Sequence, residues 1–131
     1  MARASTGARL HFGFCNLSLS HERLYGALGV GLREPRVVVD AESADGVCVE
    51  TTDGVRVETT DGDGPAVDAA DPAVDEVRAY ARIAVDLLDV EGARVAVRES
   101  LSRHAGLGSG TQLAAATLAA VAADGFGEVR R

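Results

Sequence analysis

The chain has 131 residues, enough for one domain with a single modest core, and 47% of them are apolar, as in a folding rather than a disordered sequence. Twenty acidic residues face thirteen basic ones for a net charge of −7, and every base is arginine because the chain contains no lysine. An acidic surface with scattered arginines argues against a nucleic-acid polymer as partner, and no stretch approaches the roughly 20 apolar residues of a membrane span.

The amino terminus, Met1-Ala-Arg-Ala-Ser-Thr-Gly7, leads into no apolar run of signal-peptide length, so the expected location is cytoplasmic. The apolar fraction is mostly Ala and Val, with three Phe, two Tyr and no Trp. Side-chain volume is therefore low, and packing has to come from β-branched strands and Ala-lined helix faces. The acidity fits adaptation to high salt and equally a GC-rich coding sequence. Cys15 and Cys48 lack metal-ligand or disulfide-framework spacing and are expected as small buried thiols in strands or at their ends.

Arg9-Leu-His-Phe-Gly-Phe14 alternates, which predicts a half-buried strand with Leu10, Phe12 and Phe14 inward and Arg9, His11 and Gly13 on the polar face. Asn16–Tyr25 is polar and punctuated, hence a loop. Gly26-Ala-Leu-Gly-Val-Gly-Leu32 reads as a strand whose glycines let a ligand or another backbone approach closely. Pro35 is expected to open a further strand over Arg36–Glu42. Val47–Thr60 repeats Val-Glu-Thr-Thr-Asp-Gly from Val49 and from Val57, which predicts two arms of a hairpin with a two-residue turn at Asp53-Gly54. Asp61-Gly-Asp-Gly-Pro65 lacks the spaced ligands of a calcium loop and is read as a plain connection.

Asp71-Pro72 pairs a helix cap with proline at the first helical position, and Val74, Val77, Ala81, Ala84, Val85 and Leu88 follow at helical spacing. A turn at Glu91-Gly92 precedes the alternating strand Ala93–Glu99, and Gln112–Ala123 reads as an Ala/Leu-rich helix. The order of elements gives an α+β fold with a mixed or antiparallel sheet and helices on one face.

Between the last strand and the last helix lies His104-Ala-Gly-Leu-Gly-Ser-Gly-Thr-Gln112. Glycines let successive backbone N–H groups turn toward one point, and the start of a helix adds unsatisfied donors with positive partial charge. Gly106, Leu107, Gly108, Ser109, Gly110 and Thr111 are therefore the candidate phosphate or pyrophosphate cradle. The hydroxyls of Ser109 and Thr111 are candidate ligands of a magnesium ion. A Walker loop is excluded by the lack of lysine, and a dinucleotide fingerprint by a third glycine one residue too early. A glycine-rich helix entry that binds nothing remains the alternative.

Gly106-Leu-Gly-Ser-Gly-Thr111 is similar to the Gly-Leu-Gly-Ser-Ser phosphate loop of the GHMP superfamily, with Gly110 where its kinases usually place a second serine. His104–Leu113 together with Arg9–Phe14 and Arg23–Leu32 resembles one branch more closely, that of β-ribofuranosylaminobenzene 5′-phosphate synthase of methanopterin biosynthesis. The resemblance covers nearly the whole chain. It implies the superfamily's amino-terminal fold (of the ribosomal protein S5 domain 2 type) over residues 1–131. The implied reaction condenses phosphoribosyl pyrophosphate with a hydroxy- or aminobenzoate and releases pyrophosphate and carbon dioxide. The loop would take the pyrophosphate, with magnesium; Arg9, His11, Arg23, Tyr25 and Gly26 are the candidate substrate-binding residues, and no catalytic base is indicated.

Members of that family are considerably longer. The resemblance therefore implies an amino-terminal half without its carboxy-terminal domain, and an apolar face open to self-association or to a separate second half. Two other functions stay open: a fragment of an ATP-dependent small-molecule kinase of the superfamily, taking a nucleotide, and a non-catalytic phosphate-binding or interaction remnant.

Overall fold

A computed structural model describes residues 1–15, 26–51, 56–58, 72–102 and 106–127. The elements in chain order are β1 (Ala2–Cys15), β2 (Gly26–Ser43), β3 (Val47–Thr51), β4 (Arg56–Glu58), α1 (Pro72–Leu88), β5 (Ala93–Glu99) and α2 (Ser109–Gly127). The strands form one five-stranded sheet in the order β1-β2-β5-β3-β4. All neighbours are antiparallel except β3 and β5, which run parallel through the crossover that contains α1, so the sheet is mixed.

Period-two alternation decides which side chains meet the helices. Val37, Val39 and Ala41 of β2, Val49 of β3 and Ala93, Val95 and Val97 of β5 form one buried cluster with Val74, Val77, Ala81 and Ala84 of α1 and Leu113, Ala116, Ala120 and Val121 of α2. Both helices thus lie on one face. The largest fully buried side chains are valines and Thr117, so the core is filled by many small contacts, as the composition requires.

α1 begins at Pro72, as expected, while its cap Asp71 lies outside the described residues. It ends with Asp89 in the left-handed region (φ 53°), and the Val90 N–H donates to the Val85 carbonyl at 3.3 Å. This is a Schellman closure with aspartate in the place glycine usually takes.

Several boundaries differ from expectation. β1 starts at Ala2, because Ala4 and Ala8, too small to register as a strand pattern, supply its inward face. Leu10 and Phe12 are 37% and 62% exposed, so that half of β1 is not half-buried: it pairs with the amino-terminal part of β2 as a ribbon. The two strands expected over Gly26–Leu32 and Arg36–Glu42 are one 18-residue strand. Pro35 sits inside it without loss of a ladder bond, because the pairing jumps from Gly7↔Arg36 to Arg9↔Gly31. The β3–β4 register, Val49↔Val57, is centred on Asp53, one residue off what a two-residue turn at Asp53-Gly54 imposes; those turn residues lie outside the described ones. Cys48 is a half-buried thiol in β3.

The sheet's other face carries charge. Asp40, 3% exposed, accepts from Arg3 Nε at 2.6 Å and from Arg98 Nε at 2.9 Å, and Arg94 bonds Glu42 at 2.8 Å. The Arg3 bond outweighs burial and, with Arg98, lowers the Asp40 carboxyl to about 2. A carboxyl held below its unfolded value adds stability above pH 3.8 and loses it as pH falls toward 2. Both arginines are more than half exposed, so solvent screening reduces the contribution to about 1 kcal/mol. Burial pushes the Asp124 carboxyl up, but the Met1 amine and the Ser43 hydroxyl outweigh it and leave it lowered, so it titrates on the same side. Asp40→Asn is expected to flatten, without abolishing, the fall in unfolding free energy between pH 4 and 2, measured by urea denaturation at each pH. An unchanged acid limb would show that the Arg3–Asp40–Arg98 cluster carries none of it.

Candidate phosphate-binding site

The loop is built by two glycines and one helix start. Gly106 and Gly108 both have φ of 70°, a conformation that side-chain-bearing residues adopt only with strain. α2 begins at Ser109, three residues earlier than the sequence predicts, and the Gln112 N–H donates to the Gly108 carbonyl at 3.0 Å. Gly108 is thus the cap residue, and the N–H groups of Ser109, Gly110 and Thr111 are the first-turn donors that a helix leaves without partners of its own. No residue of that turn is itself acidic, and a carboxylate from outside it, that of Glu76 on α1, faces Gly110.

β1 holds the loop from one side. The Arg9 N–H donates to the Leu107 carbonyl at 3.0 Å, and the Thr6 hydroxyl donates to Gln112 Oε1 at 2.6 Å. Arg9 Cβ and Nε lie 3.9 Å from the point where a side chain on Gly108 would begin. An exposed guanidinium therefore stands beside the cap residue, where it adds a full positive charge to the partial charges of the N–H groups. An open cleft of about 580 Å³ starts here and follows the β1–β2 ribbon, lined by Thr6, Arg9, His11, Leu28, Gly29 and Gln112 among others. The Gly13 N–H donates to His11 Nδ1 at 3.2 Å, which leaves the proton of the neutral ring on Nε2.

α1 closes the opposite side. The Tyr80 hydroxyl donates to Glu76 Oε1 at 2.8 Å, and that oxygen lies 3.2 Å from where a Cβ on Gly110 would be.

Of the candidate residues, Arg9 and His11 line the cleft, and Arg9 also meets the Gly106–Thr111 loop at Leu107 and Gly108. Gly26 does not: it pairs with Cys15 at the far end of the ribbon, about 17 Å from Gly31 at strand rise. Arg23 and Tyr25 lie outside the described residues. Thr6 and Leu28 of the cleft, and Glu76 and Tyr80 behind the loop, were not legible as site residues. Only their tertiary contacts mark them. Ser109 is half-buried and Thr111 exposed in the first turn of α2, and among the described residues no group of three or more His, Cys, Asp or Glu side chains could hold a metal ion. Two hydroxyls beside an anion cradle fit magnesium only as an ion carried largely by the phosphate oxygens.

A mixed sheet backed by two helices, with a glycine loop opening the second of them, defines an α+β domain. Residues 73–127, which include the loop, match the family described as GHMP kinases N terminal domain. The chain is 30% identical over 111 residues to the β-ribofuranosylphenol 5′-phosphate synthase of Methanocaldococcus jannaschii, covering 85% of this chain and 32% of that protein. It is 33% identical over 120 residues to the β-ribofuranosylphenol 5′-phosphate synthase of Methanothermobacter thermautotrophicus, covering 90% and 33%. The chain thus spans about a third of the length of these relatives. A crystal structure of mevalonate kinase superposes with a TM-score of 0.63 at 13% identity, over 100% of this chain and 41% of that one, a likeness of fold alone. The chain is thus similar in sequence to GHMP proteins and has the fold of their amino-terminal domain. No described helix is long and apolar enough to cross a membrane.

Proposed function

We propose that the chain carries the pyrophosphate-binding part of a synthase that joins phosphoribosyl pyrophosphate to a hydroxy- or aminobenzoate. The observation that carries this reading is the Arg9 side chain, which lines the cleft, standing against Gly108 at the open first turn of α2, with Gly106 and Gly108 both in the left-handed region. The similarity to two β-ribofuranosylphenol 5′-phosphate synthases supports it.

The chemistry suits the residues. The anomeric C–O bond breaks with its electron pair going to the pyrophosphate, and positive charge builds on the ribose. The ring carbon that bears the carboxylate attacks the anomeric carbon, and carbon dioxide then leaves with its bonding pair returned to the ring. Carbon dioxide departs where a proton otherwise would, so this step calls for no general base. The cradle's task is to stabilise charge as it develops on the leaving pyrophosphate, which preorganised N–H donors and Arg9 do without reorganising. Magnesium, when bound, would neutralise pyrophosphate oxygens, with Ser109 and Thr111 as its protein hydroxyls. His11, further along the cleft, is placed for the phosphate or carboxylate of a substrate, and the glycine-lined ribbon leaves space for a ring. Phosphorylated substrates of this charge do not cross membranes unaided, which goes with a cytoplasmic site of action.

Inorganic pyrophosphate titrated calorimetrically into the protein with magnesium should bind at micromolar to millimolar concentration, more tightly than ATP. Phosphoribosyl pyrophosphate plus 4-hydroxybenzoate should release labelled carbon dioxide in step with pyrophosphate. ATP-dependent phosphorylation of a small alcohol would replace this reading with the kinase one. Binding of neither pyrophosphate nor nucleotide would leave a non-catalytic domain.

A further inference from the structure

Gly110 needs a reason. It occupies the second position of α2, with a φ outside the left-handed region, so its backbone could carry any side chain. Glycine is also among the poorest helix residues, and alanine there would ordinarily stabilise the first turn. The reason lies on α1. A Cβ at position 110 would sit 3.2 Å from Glu76 Oε1 and 3.7 Å from the Tyr80 hydroxyl. Contact at 3.2 Å is tolerable when a flexible side chain can swing away. Glu76 is half-buried and held by the Tyr80 hydroxyl at 2.8 Å, one turn along the same helix, so yielding strains that bond.

We propose that Glu76, held by Tyr80, is a positioning residue of the loop that keeps position 110 as glycine. In doing so it fixes the cradle in a form that presents backbone N–H groups and no second hydroxyl. A side chain at 110 would press α2 away from α1, and the first turn would move relative to Gly108 and Arg9, the groups it must share with the anion. The loop's departure from the kinase-like Gly-Leu-Gly-Ser-Ser pattern is then set from α1. The ligand part of this proposal rests on the phosphate-cradle reading; the contact part does not.

The two are separated by a double-mutant cycle read in two ways. Without ligand, Gly110→Ala is expected to lower the melting temperature of the parent by several degrees. In the Glu76→Ala background the same change should raise it, since helix propensity is then unopposed. Tyr80→Phe, which removes this hydrogen bond while leaving the carboxylate in place, should give an intermediate result. With inorganic pyrophosphate as probe, Gly110→Ala should weaken binding about tenfold in the parent and less than threefold in Glu76→Ala. Equal effects of Gly110→Ala on melting temperature in the parent and Glu76→Ala backgrounds would overturn the proposal. Rescue of stability in a protein whose parent binds no pyrophosphate would instead uphold the contact and remove the phosphate-cradle reading.

Discussion

Gly108→Val should reduce pyrophosphate affinity by at least thirtyfold, about 2 kcal/mol, while costing the fold little more than the strain at one residue. At φ of 70° an ordinary side chain pays about 1–2 kcal/mol, and a β-branched one more, because its branches meet the backbone carbonyl. The loop escapes that strain by turning residue 108 to negative φ. The same rotation swings the Leu107–Gly108 and Gly108–Ser109 peptides, and with them the N–H groups, away from a common point. It also detaches the Leu107 carbonyl from the Arg9 N–H, a 3.0 Å bond that ties the loop to β1. Gly108→Ala separates the two causes. A Cβ there meets nothing closer than 3.9 Å, so any loss it shows comes from backbone conformation and not from crowding. Titration of pyrophosphate against the parent and both variants, with melting curves as control, measures this. Parent-like affinity in Gly108→Val would mean that the anion sits elsewhere.

The loop was legible because its information is local: alternating glycines, two hydroxyls and a run of helix formers occupy consecutive positions. α1 and β5 were legible for the same reason, their apolar periods being uninterrupted from Val74 to Leu88 and from Ala93 to Val97. Ala2–Ala8 was not, because its inward positions hold buried Ala8 and half-buried Ala4 and Thr6, which make no apolar alternation until a neighbouring helix covers them. Leu10 and Phe12 misled in the opposite direction. Alternation says that two residues share a face, not that anything lies against that face. Pro35 looked like a strand start because proline breaks regular ladders, and the chain instead placed it where the β1–β2 register already slips. The approach of Glu76 and Tyr80 to Gly110 joins two helices that are separated in sequence by a whole strand and a loop, so no window along the chain contains it.

The same register slip makes Gly7 the residue on which the fold and the cleft depend together. A Cβ at Gly7 would overlap the Leu32 carbonyl oxygen and lie 2.9 Å from its carbon. Both are backbone atoms of the paired strand, so no rotamer change relieves the overlap and the strands themselves have to part. They would part beside Ala8, which is 1% exposed in the core, and Arg9, whose N–H holds the Gly106–Thr111 loop at the Leu107 carbonyl. Overpacking that only backbone displacement can relieve costs about 3 kcal/mol, a large share of the 5–15 kcal/mol that stabilises a typical domain. Gly7→Ala is accordingly expected to lower the melting temperature by about 10 °C or more. Where the protein still folds, it should also bind pyrophosphate more weakly, since Arg9 and the loop shift together. Gly31→Ala supplies the comparison: it also lines the cleft, but a Cβ there meets nothing within 4 Å, and its melting temperature should stay within about 2 °C of the parent. Equal tolerance of alanine at both positions would rule out the β1–β2 register at Gly7, and with it the path by which the first strand reaches the loop.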